Sequence, residues 1–168
     1  MARLFFALWP DAPAAGKLAR VAEGLAMRTA GKPVPRARIH LTLAFLGEVA
    51  PEHIARAASV AVVARAFRMR LDCVGTFRGV RVAWAGCAAP PTALAELQSE
   101  LARGLRGLGF ALEERAFTPH MTLVRGIKAV IAAEKIAPVA WQAREFALMR
   151  SESGSGGYST LQRWALPG

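Results

Sequence analysis

The sequence predicts an α+β fold, a single domain over residues 1–168 in which an antiparallel sheet carries helices on its outside. Three observations predict it. The length of 168 residues fits one unit at roughly 100–200 residues per domain. The composition, 54% hydrophobic and 20% charged, supplies a core and lies outside the disordered regime of low hydrophobicity and high charge. The element order β-α-β-α-β-β-α-β-α-β-β mixes helices with hairpins, whereas a doubly wound parallel sheet would alternate them strictly.

Each element has a local reason. Arg3–Leu8 is an apolar, β-compatible run. The turn Pro10-Asp11-Ala12-Pro13 offers an N-cap to an amphipathic helix over about Ala14–Arg28, with Leu18, Val21 and Leu25 on one face, and Gly31 to Pro35 breaks it. Ile39–Leu46 reads as a strand, and Pro51, suited to a first turn, opens a helix over Pro51–Ala66. Arg68–Thr76 alternates Met69, Leu71 and Cys73 with Arg68, Arg70 and Asp72, then turns through Phe77 to Val80 into a strand over Val80–Cys87, a hairpin. Leu94, Leu97, Leu101 and Leu105 mark a helix over Thr92–Leu108, stopped by Gly107 and Gly109. Met121–Val124 reads as a strand and Ala129–Lys135 as a short helix. Strands over Trp141–Arg150 and Tyr158–Ala165 close the chain, joined by the small, polar and expectedly mobile Ser151 to Gly157.

The longest apolar stretches, Leu4–Trp9 and Val60–Ala64, fall far short of the ~18–20 residues of a membrane span. The first is also shorter than the ~7–15 residues of a secretory h-region, so a buried first strand is the better reading. Cys73 and Cys87 have no metal spacing and no disulfide framework, and read as buried thiols in a reducing cytoplasm. The excess of 22 Lys and Arg over 12 Asp and Glu gives +10. That field attracts polyanions, of which nucleic acid is the commonest large one; the cations are scattered, so a bias toward Arg explains part of it.

One constellation carries chemistry. Ile39-His40-Leu41-Thr42-Leu43 and Pro119-His120-Met121-Thr122-Leu123 are both H-x-T-L on an expected strand, in a chain with only three His. Alternation sends His40 and Thr42 to one face and Leu41, Leu43 and Phe45 to the other, into a core; His120 and Thr122 separate likewise from Met121 and Leu123. If a pseudo-twofold relates the halves, two imidazoles and two hydroxyls meet around one tetrahedral anion. One imidazole then accepts a proton, the other donates one, and the hydroxyls bond the oxygens where charge develops. No metal or other cofactor is required, and no Asp, Glu or Cys accompanies either motif as a third zinc ligand. Arg125 is a candidate phosphate or ribose contact, although strict alternation puts it off the His120 face. His53, on a helix without a paired motif, reads as an ordinary histidine.

At these residues the sequence resembles the 2H phosphoesterase superfamily, and within it the RNA 2′,3′-cyclic phosphodiesterases, also called 2′-5′ RNA ligases. The resemblance runs from Arg3-Leu4-Phe5-Phe6-Ala7-Leu8, through His40-Leu41-Thr42-Leu43-Ala44-Phe45-Leu46-Gly47-Glu48 and Arg81-Val82-Ala83-Trp84-Ala85-Gly86, to Phe117-Thr118-Pro119-His120-Met121-Thr122-Leu123-Val124-Arg125. It implies a bilobal fold of two pseudo-symmetric β-α-β-type halves around a central groove. It also implies hydrolysis of a terminal 2′,3′-cyclic phosphate to a 2′-phosphate, with a weak reverse ligase activity. By the same resemblance His40 is the proton donor and His120 the proton acceptor, and Thr42 and Thr122 bind the phosphoryl oxygens; the sequence alone does not order the two His. Phe5 or Tyr158 could stack on a terminal base, with core packing the favoured reading of both. The expected partners are RNA ends met by a cytoplasmic monomer, and the alternative is a module that grips RNA ends without turnover.

Overall fold

All the strand pairings in the computed structural model, which describes residues 1–154 and 156–168, are antiparallel. The strands are β1 (Ala2–Leu8), β2 (Lys32–Pro33), β3 (Leu41–Val49), β4 (Phe67–Phe77), β5 (Val82–Gly86), β6 (His120–Arg125), β7 (Glu134–Ala143), β8 (Glu145–Ser151) and β9 (Tyr158–Ala165). The helices are α1 (Ala12–Thr29), α2 (Pro51–Ala58) and α3 (Thr92–Gly107). Strand order is β7-β4-β5-β6-β3-β1-β8-β9, with β2 also on β6. The path therefore has two arms of four strands, β6-β5-β4-β7 and β3-β1-β8-β9, and they join where β6 meets β3. That junction is short: Leu41 opposite Met121 is its one paired position among the described residues. Beyond it β3 leaves β6, and β2 takes over the freed edge by pairing Lys32 with Arg125 and Pro33 with Val124. The splay opens a groove between the arms.

The helices tie the arms together from outside. α1 starts at Asp11, whose carboxylate accepts from the Ala14 N–H at 2.9 Å, and buries Leu18, Ala22 and Leu25. It follows β1 in one arm but packs on β6 and β7 of the other, where Arg28 forms a two-pronged ion pair with Glu134. α3 follows β5 and packs back on β3 through the face of Leu94, Leu97, Leu101 and Leu105. One hydrophobic cluster draws on both arms and both helices. A smaller one, Phe5, Ala7, Ala147 and Met149 with Trp9 and Tyr158 at its margin, lies on the other face of β1 and β8.

The structure differs from the expected elements in four places. The helix from Pro51 ends at Ala58 instead of Ala66. The Ser59 hydroxyl donates to the Arg56 carbonyl at 2.7 Å, and the chain then extends to bury Val60, whose carbonyl accepts from the Trp164 indole at 3.1 Å. No helix forms over Ala129–Lys135. Lys128 and Ala129 are held by the Thr29 carbonyl, and the Thr76 hydroxyl donates to the Ile131 carbonyl and accepts from its N–H, so tertiary bonds outweigh a helix-compatible sequence. The strand expected over Trp141–Arg150 is two strands, β7 and β8, which lie in different arms with Arg144 alone between them. The arms therefore meet again at this corner, where Leu166 N–H also donates to the Arg144 carbonyl and Ala66 N–H to that of Pro167. Finally, Cys73 and Cys87 are free but only half-buried. Of the expectedly mobile connection, Glu152 N–H donates to the Gly157 carbonyl, and Ser155 lies outside the described residues.

Candidate active site

The register at the junction builds the site. With Leu41 opposite Met121 in an antiparallel pair, one step outward sets His40 opposite Thr122 and Thr42 opposite His120. Ile39, Leu41, Met121 and Leu123 are buried, so alternation turns the two His and two Thr together to the groove face. Side chains directly opposite in such a pair stand about 4.5–5.5 Å apart at Cβ, and diagonal ones, here the two imidazoles, about 7–8 Å. That leaves room between the rings for a tetrahedral group, with a hydroxyl beside each.

Both imidazoles are held the same way. His40 Nδ1–H donates to the Arg38 carbonyl at 2.7 Å, and His120 Nδ1–H to the Thr118 carbonyl at 2.8 Å. A carbonyl only accepts, so the proton sits on Nδ1 in both rings and each Nε2 is left to exchange protons. The tether runs to the backbone two residues upstream, which no side-chain motif announces.

Their surroundings are unequal. His40 stands among Phe5 at 5.0 Å, Trp9 at 4.9 Å and the edge of Tyr158 at 5.2 Å between ring centroids. Burial pushes its pKa below the ordinary 6.5, the positive Arg125 and His120 add to that, and the Arg38 carbonyl opposes it. Phe5 is only 4% exposed, so it supports His40 from below and is not open to a base; Tyr158 is half-buried against the same ring. His120 meets one aromatic edge, Phe77 at 5.2 Å, and Phe77 in turn lies 5.4 Å from Trp84. Trp84 is opposite both Thr122 and Gly75 in register. A Cβ at Gly75 would stand 2.5 Å from the Trp84 ring, so glycine is what lets the indole lie flat across the strand. The indole N–H is buried without a partner.

Two expectations about side-chain direction fail for one reason. The β6 register passes from Thr122 opposite Trp84 to Val124 opposite Ala83, skipping Leu123. The β3 register passes from Thr42 opposite Ala7 to Ala44 opposite Phe6, skipping Leu43. Each β-bulge spends two successive residues on the buried face and reverses the parity beyond. Phe45, expected in the core, is thus 48% exposed, with the Arg3 guanidinium 5.5 Å above its ring. Arg125, expected off the His120 face, comes onto it, near enough to depress His40. The bulges fall at equivalent places, so Phe45 and Arg125 are counterparts, each five residues after its histidine.

The remaining candidates lie elsewhere or are inert. His53 is exposed on α2. Burial, reinforced by Asp72, pushes the Cys73 thiol up and that of Cys87 to about 11, so neither is a ready nucleophile at neutral pH. Among the described residues no three His, Cys, Asp or Glu side chains gather as metal ligands, and no helix is long and apolar enough to cross a membrane.

A family model described as 2′-5′ RNA ligase superfamily matches residues 9–155. The chain belongs to the 2′-5′ RNA ligase superfamily. Two curated relatives in it are named RNA 2′,3′-cyclic phosphodiesterase. That of Escherichia coli K12 is 35% identical over 145 residues, 82% of this chain and 81% of that protein. That of Thermus thermophilus is 34% identical over 99% of this chain and 91% of that protein. The apo crystal structure of E. coli LigT superposes with a TM-score of 0.87 at 32% identity, covering 99% and 98% of the two chains. The superfamily resemblance and the α+β fold expected from the sequence both hold. The paired H-x-T-L segments fall within the region matched by the superfamily model.

Proposed function

We propose that the protein is an RNA 2′,3′-cyclic phosphodiesterase, using two histidines as acid and base to open a terminal 2′,3′-cyclic phosphate to a 2′-phosphate. The observation that carries this is the register of Leu41 with Met121, by which His40, Thr42, His120 and Thr122 share one face of the sheet at the junction of the arms. The names of the E. coli and Thermus relatives support it. So does the existence of E. coli LigT complexes with 3′-AMP and with phosphate.

The chemistry follows from the tethers. His120 Nε2, neutral, takes the proton from a water that attacks phosphorus in line. The bond from phosphorus to O3′ breaks, and protonated His40 Nε2 delivers its proton to that oxygen, leaving a 2′-phosphate and a 3′-hydroxyl. Thr42 and Thr122 donate to the non-bridging oxygens, and Arg125 adds a fixed positive charge beside them. Burial, with the positive Arg125 and His120 adding to it, holds His40 below its ordinary pKa; an anionic phosphodiester between the rings favours the charged imidazole and restores the proton His40 must give. With a 5′-hydroxyl in place of water as the nucleophile, the same groups working in the same direction form the bond from phosphorus to O5′ as O3′ leaves with the proton from His40, joining two RNA ends through a 2′-5′ bond, which is a weak ligase activity. The reading assigns this work to a cytoplasmic monomer acting on RNA ends as one 1–168 unit, without a metal or other cofactor.

The test is an oligonucleotide ending in a 2′,3′-cyclic phosphate, incubated with the protein in excess EDTA, with the product end identified. Conversion to a 2′-phosphate is expected, and His40→Ala or His120→Ala should each slow it by at least about a hundredfold. A 3′-phosphate product, or turnover that vanishes in chelator, contradicts the reading.

A further inference from the structure

A groove of about 920 Å³ runs alongside the histidine pair without containing it. Arg3, Lys32, Arg38, Arg125 and Arg150 contribute to its lining, against the carboxylates of Glu48 and Glu152. Among the described residues the ion pairs lie elsewhere, at Arg28, Arg70, Arg103, Arg115 and Arg163, and Arg3, Lys32, Arg125 and Arg150 have no carboxylate partner. The groove joins the site at three residues: Arg125, whose charge reaches His40; Tyr158, whose ring edge is 5.2 Å from it; and Arg38, whose carbonyl accepts from His40 Nδ1–H at 2.7 Å.

We propose that this groove holds the sugar-phosphate backbone of a single-stranded RNA on the 5′ side of its cyclic end, so that the protein prefers oligonucleotides to cyclic mononucleotides. The inference rests on the cyclic phosphodiesterase reading above. A 2′,3′-cyclic phosphate terminates the strand, so the rest of the polymer can leave the site in one direction only. The groove supplies unpaired cations on that path and an aromatic ring at its mouth, the combination by which proteins grip single strands without reading sequence. The volume is at the upper end of the range of about 300–1,000 Å³ for one small ligand, while its charge suits a polyanion. Lys32 sits on β2, directly opposite Arg125 on β6, so successive phosphates would pass from Arg125 toward Lys32.

The experiment compares kcat/KM on a 2′,3′-cyclic mononucleotide and on a short single-stranded RNA with the same end, for the wild type and for Lys32→Glu/Arg150→Glu, over a range of salt. The wild type should favour the RNA, with a rate that falls as salt rises, and the mononucleotide rate should respond little. The double variant should lose about tenfold or more on the RNA. Its slope of log rate against log salt should flatten by about 1.4, the value for two phosphate contacts on a single strand. Its mononucleotide rate, unchanged within about twofold, doubles as the check that it folds. The neutral variant Lys32→Gln/Arg150→Gln should fall between the two. Equal losses on both substrates, or none on the RNA, overturn the groove while leaving the phosphodiesterase reading intact. A wild type that turns over neither substrate overturns both.

Discussion

The two halves of the site are built alike and finished differently. Each offers a histidine tethered through Nδ1 to the carbonyl two residues back, a threonine two residues on, and a bulge directly after. They diverge in their walls: His40 is enclosed by Phe5, Trp9 and Tyr158, whereas among the described residues the aromatic ring beside His120 is Phe77, met at its edge. They diverge again five residues downstream, where one presents the exposed ring of Phe45 and the other the cation Arg125. The shared parts turn both imidazoles to the same face of the sheet, each tethered through Nδ1. The unshared parts give His40 a buried aromatic wall that lowers its pKa, so that in the proposed reaction the bound anion must restore the proton it donates.

The comparison can be broken at several strengths. Thr122→Val and Thr42→Val should each reduce kcat by about a hundredfold if the hydroxyls serve equivalent oxygens; a steady-state assay in which one variant is silent would show that the halves differ in their donors as well as their walls. Leu43→Ala, in the core behind the first bulge, should cost about 2–5 kcal/mol by denaturant titration. Gly75→Ala should cost about 1–3 kcal/mol, because the Trp84 indole must move off the new methyl. His40 binds its proton less readily in the folded protein than in the unfolded chain. Between its lowered pKa and 6.5 the unfolded state therefore holds more protons, and stability should fall as pH is lowered through that window. Denaturation midpoints on either side of it should differ in the wild type and differ less in His40→Gln. The smallest effect is electrostatic: Arg125→Met removes a positive neighbour and should raise the His40 pKa, as read from its imidazole NMR titration.

Much of this was legible in the residues. The amphipathic faces of α1 and α3 gave their helices because apolar spacing at a helical period has few other uses, and the strand from Tyr158 to Ala165 was bounded correctly. The paired H-x-T-L segments pointed to one shared site because parity inside a strand follows from sequence alone. Parity across a bulge does not. Whether Leu43 or Leu123 is skipped depends on the partner strand, so Phe45 and Arg125 were both assigned the wrong face. The break at Arg144 was equally hidden, since Trp141 to Arg150 is compatible with one strand and only the curl of the sheet sends its halves to different arms. The glycines flanking Trp84, at 75 and 86, were the one available hint of the flat indole beside Thr122.

Single-turnover hydrolysis of a cyclic-phosphate-ended RNA by the wild type, His40→Ala, His120→Ala and the double variant tests the shared-phosphorus account most directly. Groups that act as a unit lose their effect together, so each single variant should fall at least about a hundredfold and the double variant hardly further. A single variant that keeps the wild-type rate, or losses that multiply in the double, would mean that the two imidazoles do not work on the same phosphoryl group.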